Sequence, residues 1–220
     1  MGAATSFNSP PLVLTVPGID NSGPLHWQSV WERERPDCKR AELGSWSRPH
    51  RNSWVTALNR EIRQAGRPVV LAAHSLGCLA VAWWAALETQ PFGYPVAGAL
   101  LVAPPDVDTV GPDTRLAGFG PAPKGLLPFP SVVIASANDP HIDVTRAHSL
   151  AKFWGSEFVD VGNAGHLNAD SGLGDWQVGQ LWLDRLLNIA QQGAHDGLAL
   201  APSSQGLLRA ASGNPLAMEY

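Results

Sequence analysis

Ser75 lies in the run Ala73-His74-Ser75-Leu76-Gly77, a small-x-Ser-x-Gly spacing that suits a nucleophilic hydroxyl. Small flanking residues are needed because a strand turning directly into a helix leaves no room there for side chains. Ala73 stands where the pattern usually has glycine, and alanine is the next smallest residue. A serine hydroxyl attacks a carbonyl carbon only when a base takes its proton, and the base needs an acid to fix its tautomer. The chain offers seven histidines. His195 falls in a low-complexity tail, His148 inside an expected helix, and His74 leaves the turn in a different direction from the serine. His26 and His50 precede the serine, against the chain order serine, aspartate, histidine. His141 shares a short turn with the candidate acid and is poorly set to reach Ser75. His166, in the loop Asn163-Ala-Gly-His166-Leu-Asn168, remains as the base. Asp139 and Asp106 both follow expected strands; Asp139 is favoured as the acid because it comes from the later strand and Pro140 stiffens its turn. Such a set would carry acyl transfer through a covalent serine intermediate. The oxyanion formed on the way needs two donors. One is the backbone N–H of Leu76, at a helix start; the other comes from the loop after the first strand, where Ile19 is chosen with Asp20 as the alternative.

These residues work together only if the chain gathers them. Val69 to Ala73 is an apolar, β-branched run expected as a strand buried on both faces, and Leu76 to Leu87 is expected as a helix. Further strands are expected at Leu12–Val16, Lys39–Leu43, Val96–Ala103, Ser131–Ser136 and Glu157–Val161. Helices are expected at Leu25–Arg35, Ser53–Gln64, Val144–Trp154 and Trp176–Gln191. Asp106 to Pro130, crowded with Pro and Gly, reads as a long surface loop. Strands alternating with helices imply βαβ units and a mostly parallel sheet with helices on both faces, a three-layer α/β fold. Ligands bind such sheets beyond the carboxyl ends of the strands, and Ser75, Asp139 and His166 all follow strands. The organisation expected is a flexible leader at 1–10, one domain at 11–192 and a flexible low-complexity tail at 193–220.

The chain has 220 residues, enough for one domain with a proper core, and a formal net charge of −4. That charge, with no basic run, argues against nucleic acid or an anionic membrane surface as the partner. Two distant cysteines, Cys38 and Cys78, do not suggest a disulfide framework. The leader lacks the charged and apolar regions of a signal peptide, and no stretch approaches the ~18 apolar residues of a membrane span. The expectation is a soluble, cytoplasmic protein. Asp139, His141 and Asp143 match no metal-ligand spacing, so neither metal nor cofactor is expected.

Several ordered motifs resemble one family. Leu14-Thr-Val-Pro17-Gly18, Gly23-Pro-Leu-His26-Trp27-Gln-Ser-Val-Trp31-Glu32, Ala73-His74-Ser75-Leu76-Gly77, Asn138-Asp139-Pro140, Trp154-Gly-Ser and Ala164-Gly165-His166-Leu-Asn168 look like the small serine hydrolases of the YdeN and retinoblastoma-binding-protein-nine type. The resemblance spans roughly residues 12 to 190 and implies a compact α/β-hydrolase without a large cap domain. It implies Ser75, Asp139 and His166 as the catalytic triad, in agreement with the elimination above. The function expected is that of a carboxylesterase-like serine hydrolase, cleaving a small ester or amide through an acyl-enzyme. With no insertion long enough for a helical cap, short or medium acyl chains are expected, with Trp27 or Trp46 near the entrance. The alternative is a protein-binding module on a hydrolase scaffold, with weak or vestigial catalysis and exposed tryptophans in 44–54 as its interface.

Overall fold

The computed structural model describes residues 9–109 and 113–199. Six strands, β1 (Leu12–Val16), β2 (Cys38–Arg40), β3 (Val69–His74), β4 (Val96–Val102), β5 (Ser131–Ala135) and β6 (Glu157–Asp160), form one sheet in the order β2-β1-β3-β4-β5-β6. Every pairing is parallel, from Val13 against Cys38 at one edge to Ala135 against Asp160 at the other. Among the described residues the α-helices are α1 (Trp27–Glu34), α2 (Arg51–Gln64), α3 (Leu76–Leu87) and α4 (Val144–Trp154), each joining two strands, and α5 (Gln177–Ala199), which follows β6.

Period-two alternation along the strands divides the core. Leu14, Val16, Leu71, Ala73, Leu101 and Val133 pack with residues of α2, α3 and α4, including Trp54, Leu58, Leu79 and Trp154. Val13, Val70, Ala72, Leu100 and Ile134 pack on the other face with Trp27 and Trp31 of α1 and Leu183 and Leu186 of α5. The result is the expected three-layer α/β arrangement, without a large cap among the described residues. β3 and β4 are buried at every position, as central strands covered on both faces must be. From β1 the chain passes to β2 on one side and then to β3 on the other. The strand order therefore reverses between β1 and β3, and the carboxyl ends of strands at such a reversal are where sheets of this kind take their ligands.

Three local findings differ from the sequence reading. Trp176 has φ +44°, outside the helical region, so α5 starts one residue later. It runs on to Ala199 rather than ending at Gln191, because Ala, Gln and Leu favour the helix enough to carry Gly193 and Gly197. Of the expected tail, 193–199 thus continues α5, while 200–220 and most of the leader lie outside the described residues. The segment after β4 is not a free surface loop. It contains a 3₁₀ turn, Thr114–Phe119, and sinks Phe119, Leu127 and Phe129 into the core beneath α3 and α4. The indoles of Trp83 and Trp154 donate to Phe119 O and Pro123 O at 2.7 and 2.9 Å. Irregularly spaced apolar residues carry no periodic signal, so that packing was hidden in the sequence. No helix among the described residues is long and apolar enough to cross a membrane.

Candidate active site

Ser75 joins β3 to α3 with φ +52° and ψ −127°, a conformation that costs a non-glycine residue free energy and persists only under constraint. The constraint comes from both sides. Ser75 N–H continues the sheet ladder to Val102 O at 2.9 Å, and Cys78 N–H donates to Ser75 O. A Cβ on Gly77 would lie 2.1 Å from Val16 O, so only glycine lets α3 leave β3 so close to β1. A Cβ on Gly18 would lie 2.8 Å from the Ser75 Cβ and 3.2 Å from Leu76 N. The loop after β1 is thereby allowed to pass directly against the start of α3. Ala73, in contrast, keeps its Cβ in the core.

The structure brings Ser75, His166 and Asp139 together from the ends of three strands. His166 Nε2 is 2.9 Å from Ser75 Oγ, and His166 Nδ1 is 2.9 Å from both Asp139 oxygens. A carboxylate only accepts, so Nδ1 carries the imidazole proton and Nε2 presents its lone pair to the hydroxyl. The Asp139 side chain is wholly buried, and His141 N–H also donates to its Oδ1 at 2.9 Å. Its turn is closed by Asp139 N–H to Ser136 O. Asp106, the competing acid, lies elsewhere: it accepts from Asp108 N–H and pairs with Arg146 of α4 at 3.4 Å. It is also better covered than a surface-loop position implies, its side chain only 14 % exposed.

Leu76 is the first residue of α3, so its N–H has no carbonyl one turn back within the helix. Of the two candidates in the β1 loop, Asp20 N–H is spent on Trp46 O at 3.0 Å, which leaves Ile19 beside Gly18. The loop is tied from outside by Arg115, which pairs with Asp20 at 3.0 Å and Asp113 at 2.7 Å. A groove of about 490 Å³ lined by Val107, Leu116, Pro121 and Lys124 lies beside the 3₁₀ turn, and none of Ser75, His166 and Asp139 borders it. Trp27 is not at an entrance: it is 1 % exposed, its indole donating to Leu167 O. Trp46 is half-buried and stands edge-on to the buried Trp54 at 5.5 Å.

Two histidines set aside in the sequence reading are close to His166. His74 lies 5.0 Å away between ring centroids, its ring tilted by 58°, and reaches its backbone; His141 meets its ring edge-on at 4.3 Å. Behind His74 stands His26, centroid distance 4.6 Å, which caps α1 by accepting from Gln28 N–H. Alternation along β3 carried a signal for this, since His74 falls on the face of Val70 and Ala72, toward α1.

Burial, then Arg40 and His166, lowers His26 to about 4, and burial first of all holds His74 well below the usual imidazole value. Both refuse a proton that the unfolded chain accepts. Their contribution to stability is therefore complete above pH 6.5 and is lost as pH falls, for His26 across the window from 6.5 to about 4. Urea denaturation at about pH 7.5 and about pH 5 should show His26 alone removing about 2 kcal/mol. His26→Asn, which preserves the helix cap, should reduce the difference; an unchanged pH dependence in that variant would refute the assignment.

A family model described as serine hydrolase matches residues 13–185. Among solved structures, one described as a YdeN-like hydrolase from Pectobacterium atrosepticum is 35 % identical, with a TM-score of 0.70 over 85 % of this chain and 94 % of that one. The ydeN gene product of B. subtilis has the same fold at 18 % identity, TM-score 0.66, over 81 % of this chain and 99 % of its own. Est1E from Butyrivibrio proteoclasticus shares the fold at 14 % identity, TM-score 0.60, over 81 % and 89 %. No curated protein matches.

Proposed function

We propose that this chain, which belongs to the serine hydrolase family and is a small α/β-hydrolase of the YdeN type, cleaves a carboxylic ester or amide through an acyl-enzyme on Ser75. The observation that carries this reading is the unbroken run of hydrogen bonds from Ser75 Oγ through His166 to Asp139. In the first half-reaction Ser75 Oγ attacks the carbonyl carbon while His166 Nε2 takes the hydroxyl proton. The tetrahedral oxyanion is met by the N–H groups of Leu76 and Ile19. Collapse breaks the bond to the leaving group, which departs with the proton from His166, now acting as acid. Water then repeats the sequence on the acyl-serine and releases the carboxylic acid. Asp139 holds the imidazole in the right tautomer and offsets its positive charge. Serine, histidine, aspartate and water close every step, so the reading invokes no cofactor or metal.

The substrate in this reading is a small molecule with a short or medium acyl chain, because the segment between β4 and β5 packs into the core rather than forming a cap. The protein-binding alternative draws no support from 44–54, where Trp54 is 1 % exposed and Trp46 packs on it. A fluorophosphonate probe should label the native protein on Ser75 and leave Ser75→Ala unlabelled. A p-nitrophenyl ester series should peak below long fatty acyl groups. A folded protein that neither reacts with the probe nor turns over any ester would overturn the proposal.

A further inference from the structure

Resting on that reading of the triad, we propose that His74 is a positioning residue for the base: its Nε2–H, donated to the backbone carbonyl of His166, ties the loop carrying the imidazole to the strand end carrying the nucleophile. The bond measures 2.9 Å. A carbonyl oxygen only accepts, so Nε2 of His74 bears the proton. His74 and Ser75 are consecutive, and one side chain therefore links the backbone of the base to the residue next to the nucleophile.

The loop needs such a link. His166 sits between Gly165, φ +62°, and Leu167, φ +51°, in backbone without helix or strand bonds. Leu167 is not a glycine, and the left-handed region is unfavourable for it because its Cβ crowds the following carbonyl. Surroundings must hold it there. Its side chain is fully buried, and its carbonyl accepts from the Trp27 indole at 3.0 Å. Trp27 is itself fixed by ring contacts with Trp31 at 4.5 Å and Trp176 at 5.1 Å. Consecutive carbonyls, His166 and Leu167, thus receive donors from β3 and α1. On the opposite side, Asn138 Oδ1 accepts from Gly165 N–H at 2.8 Å, and Ser136 Oγ accepts from Ala164 N–H at 2.9 Å. Of these anchors, His74 alone comes from the strand that delivers the nucleophile. Its ring has little freedom, being 5 % exposed and packed between His26 and His166.

His74→Gln retains an N–H at the end of the side chain, and His74→Met has similar length without a donor. Misplacing a reacting group by about 1 Å costs on the order of 100-fold, so the Met variant should lose roughly ten- to a hundredfold in kcat for p-nitrophenyl butyrate. Its KM should stay within about twofold, and its rate of fluorophosphonate labelling should fall in step with kcat. The Gln variant should recover most of both. Ser75→Ala, run in parallel, separates the premises: if it keeps activity, the triad reading fails independently of His74. The positioning role is overturned if the Met variant keeps kcat within about threefold of the native enzyme. It is equally overturned if Gln and Met are impaired alike, or if KM alone moves. Should Met not fold, Phe takes its place as the donorless variant, and failure of the Gln chain to fold would assign His74 to stability and end the proposal.

Discussion

Replacing Ser75 by alanine is expected to lower kcat for an activated ester on the order of 10⁶-fold, and replacing His166 by alanine should cost about as much. The double variant should be no worse than either single one. The reason lies in the geometry: the hydroxyl proton has one route out, across 2.9 Å to His166 Nε2, and each residue is inert in this step without the other. What should survive is the contribution of substrate binding and of the proposed oxyanion donors, the N–H groups of Leu76 and Ile19, which would still meet an oxyanion formed by water attack. The measurement is kcat for the three variants, with circular dichroism to establish folding. Losses that multiply in the double variant would mean that the two residues act separately, and full activity in Ser75→Ala would end the mechanism.

Asp139→Asn should lower kcat by about 10⁴-fold while the fold persists, because an amide can donate to Nδ1 and so hold the imidazole in the tautomer that points a proton at Ser75. Asparagine keeps an oxygen able to accept from His141 N–H, so the turn itself should survive. Asp106→Asn is the control. Its carboxylate serves Arg146 and the Asp108 N–H, and kcat should change less than about tenfold. If Asp106→Asn is crippling and Asp139→Asn mild, the acid has been misassigned although the serine mechanism stands. Assays across a pH series on both variants would also separate a tautomer defect, present at every pH, from a general loss of stability in acid.

Much of this protein was legible in one dimension. β1, α3 and α4 occupy the residues that apolar runs and periodicity indicate, because strand burial and helix periodicity are local properties of the chain. The glycine of the elbow was legible for the same reason, and the structure supplies its magnitude in the 2.1 Å between a Gly77 Cβ and Val16 O. The elbow motif, elimination among the histidines and the stiff Asp-Pro turn were enough to select Ser75, His166 and Asp139 as candidates. Other features required the tertiary structure. Only the reversal of strand order between β1 and β3 puts Gly18 against Leu76, and only the bond from Asp20 N–H to Trp46 O favours Ile19 over its neighbour as the proposed donor. Trp27 looked like an entrance residue and is a core anchor instead. The 106–130 segment looked like a surface loop, yet it fills the core with apolar residues that obey no period. His74 leaves the turn away from the serine, as its place on β3 dictates, but the turn says nothing of what the ring meets there. A sequence determines which way a side chain leaves its own strand, through pleat and periodicity. What waits there, in this case a carbonyl 92 residues further along the chain, is decided by how the layers pack.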